Sequence, residues 1–424
     1  MPLPFEKKNK QNARFRLNPF HHITAMHLWA GALQTMMVSL LEKNVEPIFF
    51  SKQLLNAIQH IKKYPDQAKV IENLQRQAFE RYGTFMQGAM EYYESPRNNA
   101  FVEAPTLLQV GSVRVKDYGQ KYNLKAGTEK GVILFIPSLI NRSHVFDIPE
   151  KNSLMAYLSK NGYRCLLVEW GNYSEEQKDF SLREYVLNYL KPLMSLSRQH
   201  FPDLPFYLTG YCMGGILGLG ALMESKIDID GIILMATPWD FSQRSFKNRS
   251  FLKLCARMVE IEIQHSGKVS GFFLNMLFHC LNPLAGIQKF RRFQNLEPAE
   301  KKKFVELEDW VNDCVDLAPK VAKECFVNWY LNNELAETST LSSLKIDLES
   351  LDFPVLTVIP KNDRIIPEAS ALSLAKQLRQ VTVLQPLLGH VGMITGRKAK
   401  KNVWQPLLSW LNTNQKITQW RKYG

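Results

Sequence analysis

The sequence predicts an α/β fold built on a mostly parallel sheet, and three observations support this class. From about residue 107, apolar runs of strand length alternate with stretches of helical periodicity, as in chains of parallel strands and crossover helices. The run at residues 132–136 is apolar throughout, which is typical of a strand buried on both faces. Between an apolar run and a small-residue helix, Gly210–Gly215 predicts a tight turn. Functional groups are therefore expected at the carboxyl ends of the strands.

The composition excludes several classes of protein. Of 424 residues, 22% are charged and 45% are hydrophobic, as in globular proteins and unlike disordered ones. The net charge of +13 favours an anionic partner, either a phosphorylated molecule or an acidic surface. Lys and Arg are widely spread without a nucleic-acid-binding motif, so no nucleic-acid partner is expected. The 6 cysteines form no CxxC pair and no metal-ligand spacing, which predicts a reducing cytoplasm and no metal site.

Residues 1–100 predict a helical N-terminal region. Ser51–Lys62 and Gln67–Tyr92 carry apolar residues at three- and four-residue spacing, and Pro65 separates them. Thr24–Leu41 is apolar-rich but too polar for a membrane span. This stretch predicts an amphipathic helix packed on the main domain, with binding to a lipid-like or polymer surface as the alternative.

The elements of the predicted core follow in chain order. The alternating stretch Val110–Val115 is typical of an edge strand. A helix that Ser153 caps ends near Gly162, and a longer amphipathic helix covers Phe180–His200. A last helix passes through Trp410. The predicted strands of the parallel sheet occupy residues 132–136, 164–170, 206–208, 231–236, 354–359 and 381–384.

Roughly a hundred residues interrupt this alternation, and their position after a core strand predicts a cap over the functional site. Residues 241–343 are helical in pattern and rich in Phe, Met and Leu, so most of their aromatic side chains are expected in the interior of the cap. The predicted domains are therefore a helical N-terminal region (1–100), an α/β core (101–240 and 344–424) and a helical cap (241–343).

The turn at the centre of the sequence reads Gly-x-Cys-x-Gly, a cysteine version of the nucleophile elbow. Glycine is needed at Gly210, Gly214 and Gly215 because strand and helix pass very close to each other on either side of the nucleophile. The N-terminus of the following helix favours a thiolate at Cys212. The alternative interpretation is a buried structural cysteine in a glycine-rich turn.

Acyl transfer needs a nucleophile, a base and an acid that orients the base. Cys212, Asp363 and His390 occur in the chain order of the α/β-hydrolase arrangement. Asp363 follows an apolar strand, and His390 lies in a glycine-flanked loop after the next strand. Alternatives remain open, because Asp363 could be a turn former, Asp240 is a rival acid, and His390 could be an ordinary loop histidine.

The oxyanion of such a site needs two backbone donors. The expected donors are the N–H of Met213, directly after the nucleophile, and an N–H near Ile140 in the loop after the strand at residues 132–136.

A thiol exchanges readily with a thioester, so Cys212 favours acyl transfer from a coenzyme A or carrier thioester over plain ester hydrolysis. Some aromatic side chains of the cap are then expected to line an acyl channel.

Several blocks of this sequence together resemble the polyhydroxyalkanoate synthase family, whose members are α/β-hydrolase-fold enzymes with a cysteine nucleophile. The segment Gly210–Gly215 is similar to the lipase-like box of that family. The other similar blocks extend the resemblance over roughly residues 100 to 412; they are Pro137–Arg142 with Phe146–Asp147 and Asn152–Leu154, Leu307–Asp313, Asn328–Tyr330 with Asn333–Leu335, and Gly389–Met393 with Gly396 and Trp410–Leu411.

The resemblance implies a specific function. Cys212 would hold the growing hydroxyacyl chain, His390 would deprotonate Cys212, and Asp363 would assist His390 or the incoming hydroxyl group. The substrate would be a 3-hydroxyacyl-CoA, with no further cofactor. The enzyme would work in the cytoplasm or at the surface of polyester granules, as a homodimer or with a second synthase subunit.

Three alternatives to a synthase remain open from the sequence. The first is a thioesterase or depolymerase on the same fold, with water as the acceptor. The second is a non-catalytic protein of the granule surface, which the complete set of Cys212, Asp363 and His390 disfavours. The third is a membrane-anchored protein, which depends on Thr24–Leu41 alone.

Overall fold

A computed structural model describes residues 60, 63–97, 102–148, 153–243, 249–281 and 283–423 of the chain. The predicted helix Thr24–Leu41 lies outside the described residues, as does nearly all of Ser51–Lys62. The chain divides into two compact units. One joins the described part of Met1–Asn98 to Phe278–Val305, and the other contains Asn99–Leu277 and Glu306–Gly424.

The larger unit is built on an eight-stranded sheet with the strand order β1-β2-β4-β3-β5-β6-β9-β10. β1, β2 and β4 pair antiparallel, whereas every pairing from β4 to β10 is parallel. The predicted class, a mostly parallel sheet of the α/β type, is therefore confirmed. The strands are β1 (Thr106–Val110), β2 (Val113–Asp117), β3 (Gly131–Ile136), β4 (Tyr163–Glu169), β5 (Phe206–Tyr211), β6 (Gly231–Met235), β9 (Val355–Val358) and β10 (Val381–Leu384).

The central strands bring their carboxyl ends to one edge of the sheet. Every residue of β3, β5 and β6 is buried, as expected for apolar strands with layers on both faces. The parallel register sets Ile136 beside Gly210 and Tyr211 beside Met235. The residue after β5 therefore emerges at the edge where these three strands end, and that residue is Cys212.

The predicted edge strand Val110–Val115 is wrong in its bounds, because the chain turns back in its middle. β1 and β2 form an antiparallel hairpin in which Val110 pairs with Val113. Gly111 in the turn has a φ of 56°, a left-handed conformation that favours glycine. The pair Gly111-Ser112 interrupts the alternation, and such a pair between two strand-like runs is a hairpin signal that the sequence analysis missed.

Helices flank the sheet on both faces, largely where the sequence predicts them. Ser153 caps the third helix, and its hydroxyl accepts from the Ala156 N–H at 3.0 Å. The predicted helix Phe180–His200 includes a π-helical segment, Tyr185–Leu190, between two α-helical parts. The helices in this part of the chain are α2 (Tyr118–Lys121), α3 (Leu154–Lys160), α4 (Leu182–Glu184), α5 (Lys191–His200) and α6 (Met213–Ser225).

The chain between β6 and β9 is mainly helical. It also contains a short antiparallel hairpin of β7 (Thr340–Leu341) and β8 (Leu344–Lys345). After β9 the chain forms three further helices that complete the larger unit: α13 (Glu368–Ala375), α14 (Gly392–Thr395) and α15 (Gln405–Tyr423). The helices of the insertion are α7 (Arg249–Ser266), α8 (Gly271–Leu281), α9 (Pro283–Phe293), α10 (Pro298–Asn312), α11 (Pro319–Lys323) and α12 (Glu334–Thr338).

The smaller unit is centred on the first described helix, α1 (Gln67–Glu94), which packs against α9. Phe85 and Phe290 are both 1% exposed, and their rings meet edge to face with centroids 5.9 Å apart. At Gly88 the two helices approach so closely that a Cβ would lie 2.0 Å from the Phe290 carbonyl oxygen. The division into N-terminal region, core and cap stays a prediction.

Membrane anchoring was one of the sequence-based alternatives. Among the helices formed by the described residues, none combines the length and the apolarity needed to span a membrane. The stretch on which the anchoring alternative depends, Thr24–Leu41, lies outside those residues.

Candidate active site

Cys212 occupies a strained turn between β5 and α6. Its φ of 55° and ψ of −127° lie in a region that residues with a Cβ rarely adopt. The backbone of the turn is fixed to the neighbouring strand, because the Cys212 N–H donates to the Met235 carbonyl of β6 at 2.8 Å. The side chain is half-buried. This geometry lifts the sulfur out of the sheet and places it at the N-terminus of α6.

The three glycines of the turn lie where backbone and side chains leave no room for a Cβ. A Cβ at Gly210 would lie 2.3 Å from the Cα of Gly215. At Gly215 it would lie 2.0 Å from Thr237 Oγ1, and at Gly214 it would lie 2.1 Å from the Ile136 carbonyl oxygen. The close packing of β5, α6 and the end of β3 therefore depends on glycine at each position.

Gly214→Ala is expected to lower the free energy of unfolding by about 3 kcal/mol. The added methyl group would overlap a backbone oxygen of β3, which cannot rotate away as a side chain can. Urea unfolding followed by circular dichroism measures this loss. Gly218→Ala, on the same helix, is the matched control, since its Cβ would meet only the mobile Cδ1 of Ile136 at 3.1 Å. Equal stability of the two variants would contradict the steric argument.

Asp363 and His390 form a buried pair at the same edge of the sheet. Asp363 follows β9 and His390 follows β10, and His390 Nδ1 lies 2.6 Å from Asp363 Oδ2. The other carboxylate oxygen accepts from the backbone N–H groups of Ile365 at 2.8 Å and Ile366 at 2.9 Å. The carboxylate is thus fixed by the chain after β9, and it orients the imidazole so that Nε2 remains for the nucleophile.

The electrostatics of the site favour a charged imidazole. Burial of the ring acts against the charged form, but the charges of Asp363 and Cys212 outweigh it and raise the pKa of His390 to about 10. The Cys212 sulfur is therefore close enough to the ring to favour its charged form. A thiolate beside an imidazolium is the reactive pair of cysteine-dependent acyl transfer.

The rival acid, Asp240, is engaged elsewhere. Its carboxylate accepts from the N–H and the hydroxyl of Ser242 at 2.8 and 2.7 Å, and from the side chain of Gln243. Partial burial alone would raise its pKa, but these hydrogen bonds lower it. The structure therefore brings Asp363, and not Asp240, to His390.

The two predicted oxyanion donors differ in their surroundings. Met213 is the first residue of α6, and the first N–H groups of a helix have no partner within that helix. The Ile140 N–H, in contrast, donates to Ser138 Oγ at 3.2 Å. Ile140 is therefore not a free donor in this conformation, and its oxyanion role stays a prediction.

The loop after β3 is anchored to the C-terminal end of α10 and to the segment that follows it, by contacts that the sequence analysis missed. Arg142 Nε lies 3.5 Å from the Asp313 carboxylate, and Trp310 Nε1 donates to the Arg142 carbonyl at 2.7 Å. The Val315 N–H donates to the Ile140 carbonyl at 2.8 Å. These partners lie about 170 residues apart in sequence, as the Arg142–Asp313 separation of 171 illustrates. No local pattern reveals such a pairing.

Tyr211 is a second residue that the sequence analysis missed. Its ring centroid lies 5.0 Å from that of the His390 ring, and it packs edge to face on Phe146 at 5.6 Å. The side chain is 4% exposed. Its place directly before the nucleophile was the available signal, because the last residue of the elbow strand lies at the same sheet edge as the histidine loop.

No group of three or more His, Cys, Asp or Glu side chains in the described part of the chain is arranged to hold a metal ion. The groups that lie together at this edge of the sheet are a thiol, an imidazole, a carboxylate and backbone donors. Such a set can form and break an acyl bond by nucleophilic attack and proton transfer.

A parallel sheet with its nucleophile on an elbow, followed by an acid and a histidine, defines an α/β hydrolase. The sequence profile described as the alpha/beta hydrolase fold matches residues 131–396. The chain belongs to this family.

Within that family, the chain is similar to poly(3-hydroxyalkanoate) polymerase subunits named PhaC. The protein from Synechocystis sp. is 28% identical over 67% of this chain and 78% of its own length. That from Haloferax mediterranei is 24% identical over 68% of this chain and 60% of its own length. That from Thiocystis violacea is 27% identical over 69% of this chain and 84% of its own length. The resemblance noted from the sequence blocks is thereby confirmed.

Proposed function

We propose that this chain is an acyltransferase that polymerises 3-hydroxyacyl-CoA to a polyester through a thioester on Cys212, with release of CoA. The observation that carries the proposal is the strained cysteine near a buried histidine, whose Nδ1 a carboxylate oxygen holds at 2.6 Å. The similarity to poly(3-hydroxyalkanoate) polymerases supports the choice of substrate. A thiol nucleophile is suited to thioester exchange, because sulfur leaves readily in both directions.

The first half-reaction would load Cys212. His390 Nε2 takes the thiol proton, and the Cys212 sulfur attacks the carbonyl carbon of the acyl-CoA. The N–H of Met213 donates to the oxyanion that forms. As the tetrahedral intermediate collapses, the carbon–sulfur bond to CoA breaks, and the CoA sulfur takes the proton from His390. The products are acyl-Cys212 and free CoA.

The second half-reaction would extend the chain. The 3-hydroxyl group of another hydroxyacyl unit gives its proton to the neutral His390 ring and attacks the thioester carbonyl on Cys212. An ester bond forms, the bond to the Cys212 sulfur breaks, and the sulfur recovers the proton from His390. Asp363 stabilises the positive ring in both half-reactions, since its carboxylate is fixed against Nδ1.

The surroundings of such an enzyme follow from its substrate and product. A net charge of +13 favours encounter with the phosphates of CoA. We place the protein in the cytoplasm and in contact with the surface of polyester granules. It would act there as a homodimer or with a second synthase subunit. No cofactor beyond the acyl-CoA substrate is required by the chemistry.

The test is CoA release from 3-hydroxybutyryl-CoA by the purified full-length chain, with the acyl product analysed by size. Release accompanied by oligomer or polymer is the expected result. Release of free hydroxy acid alone would make the protein a thioesterase or depolymerase. Absence of release from short- and medium-chain substrates, with candidate partner subunits added, would favour a non-catalytic granule-surface protein.

A further inference from the structure

Tyr211 is a buried aromatic residue that contacts the histidine of the candidate site. It is the last residue of β5 and directly precedes Cys212. The centroid of its ring lies 5.0 Å from that of the His390 ring, with 36° between the two planes. The same ring meets Phe146 edge to face, with centroids 5.6 Å apart. Phe146 in turn packs on Phe135 of β3 at 5.2 Å, so the core of the sheet holds the ring of Tyr211 in place.

The hydrogen bond to Asp363 does not by itself fix the plane of the imidazole. It joins one ring atom, Nδ1, to one carboxylate oxygen, so the ring of His390 can still tilt about that bond. His390 also lies in the irregular segment between β10 and α14. A general base needs its free nitrogen aimed at the proton that it takes. An aromatic ring packed against the imidazole supplies the restraint that a single hydrogen bond lacks.

The charge of the imidazole strengthens this contact. Burial lowers the pKa of His390, but the charges of Asp363 and Cys212 outweigh burial and keep the ring positive near neutral pH. A cation within about 6 Å of an aromatic centroid is attracted by the negative face of that ring. Burial also raises the pKa of Tyr211, and the charges of Cys212 and Asp363 raise it further, so the phenol stays neutral. The ring of Tyr211 therefore favours the charged imidazole without adding a charge of its own.

Ordinary core packing explains only part of this arrangement. Tyr207, on the same face of β5, is fully buried and packs edge to face on Tyr163 and Trp410. The hydroxyl groups of Tyr207 and Tyr211 are both buried without a hydrogen-bond partner among the described residues. The two tyrosines thus resemble each other in burial and in their hydroxyl groups. Tyr211 differs because its ring packs against the imidazole of the candidate site.

We propose that Tyr211 is a positioning residue, whose ring holds the plane of the His390 imidazole so that Nε2 faces the Cys212 sulfur. This role rests on the proposed function, since it takes His390 as the base for Cys212. The ring carries the role, because the hydroxyl group has no partner in the described part of the chain. The side chain is almost fully buried, so Tyr211 acts through His390 and not by contact with a substrate.

The experiment measures how fast iodoacetamide alkylates Cys212 in the full-length chain as the pH is varied. Peptide mass spectrometry assigns the label to Cys212, and no acyl-CoA is needed. The variants are Tyr211→Leu, which removes the ring, Tyr211→Phe, which keeps it, and Phe146→Leu, which removes its support. Tyr207→Leu is the matched control, because it removes an equally buried ring from the same strand. Circular dichroism checks that each variant is folded.

In Tyr211→Leu the midpoint of the alkylation profile is expected to rise by roughly 0.5 to 1 pH unit, since a displaced imidazolium stabilises the thiolate less. Phe146→Leu should raise the midpoint by less. Tyr211→Phe should recover the midpoint of the unaltered chain because the ring is kept, and Tyr207→Leu should not change it. In the CoA-release assay, Tyr211→Leu should lower kcat roughly tenfold and change KM little.

The proposal fails if a folded Tyr211→Leu variant keeps the unaltered midpoint, or if Tyr207→Leu or Tyr211→Phe shifts it as far as Tyr211→Leu does. If Tyr211→Leu does not fold, Phe146→Leu is compared with Tyr207→Leu. A higher midpoint in Phe146→Leu alone supports the role of Tyr211, and equal midpoints overturn it. A chain that shows these shifts but releases no CoA would refute the proposed polymerase and leave the role of Tyr211 in place.

Discussion

Cys212→Ala is expected to reduce CoA release by at least ~10⁴-fold, because no other group in the site can form the thioester. The free energy of unfolding should not fall, since the change removes a half-buried sulfur and leaves the strained backbone in place. Thiol release from 3-hydroxybutyryl-CoA measures activity, and urea unfolding measures stability. A folded Cys212→Ala variant with unchanged CoA release would disprove the covalent mechanism.

Trapping of the acyl-enzyme gives an independent measure of the same prediction. Intact-protein mass spectrometry after brief exposure to substrate should show one acyl group on the unaltered chain and none on Cys212→Ala. Cys314→Ala is the matched control, because Cys314 is also half-buried. Burial raises the pKa of Cys314 to about 11, so its thiol stays protonated near neutral pH and is a poor nucleophile. If the Cys314→Ala variant carried no acyl group, the acylated residue would be Cys314 and not Cys212.

Asp363→Asn is expected to lower the rate of acyl transfer roughly 10³-fold while leaving the fold intact. The amide keeps the size of the carboxylate but cannot stabilise the positive ring of His390 or hold its tautomer. Asp240→Asn is the control, and its rate should stay within about threefold of the unaltered chain, because Asp240 bonds Ser242 and Gln243 instead. The reverse order of effects would assign the acid to Asp240.

The same variant should change the pH dependence of stability. In the folded chain the pKa of His390 is about 10, above its ordinary 6.5. A histidine whose pKa is higher in the folded than in the unfolded chain stabilises the fold. This stabilisation is complete below pH 6.5 and is lost as the pH rises through the folded-state pKa of about 10. The free energy of unfolding lost on Asp363→Asn should therefore shrink as the pH is raised toward 10. Urea unfolding across that range measures it, and a difference that grows with pH would contradict the sign.

The core of the fold could be predicted from the sequence because the apolar pattern of its strands is unambiguous. β3 and β5 are uninterrupted apolar segments between turn residues, and every residue of both is buried. The hairpin of β1 and β2 could have been predicted, because Gly111-Ser112 between two strand-like segments is typical of a two-residue hairpin turn. The packing of α1 on α9 could not, since helices nearly 200 residues apart carry no local sign of their contact.

Much of the candidate site could be predicted from the sequence for a similar reason. Parallel strands place their carboxyl ends together, so a nucleophile, an acid and a histidine in the right order after three strands had to be neighbours. The choice between Asp363 and Asp240 needed side-chain geometry, because both follow a core strand. The state of the Ile140 N–H depends on the rotamer of Ser138, which no residue pattern specifies.

The positive φ of Cys212 has a consequence for the history of the site. Glycine would adopt the same backbone conformation without strain, so the fold would gain stability if glycine replaced Cys212. Selection for stability alone would therefore favour glycine over cysteine at this position. A chain with no use for the thiol would lose nothing by that replacement, whereas a chain that uses the thiol has to retain the strain.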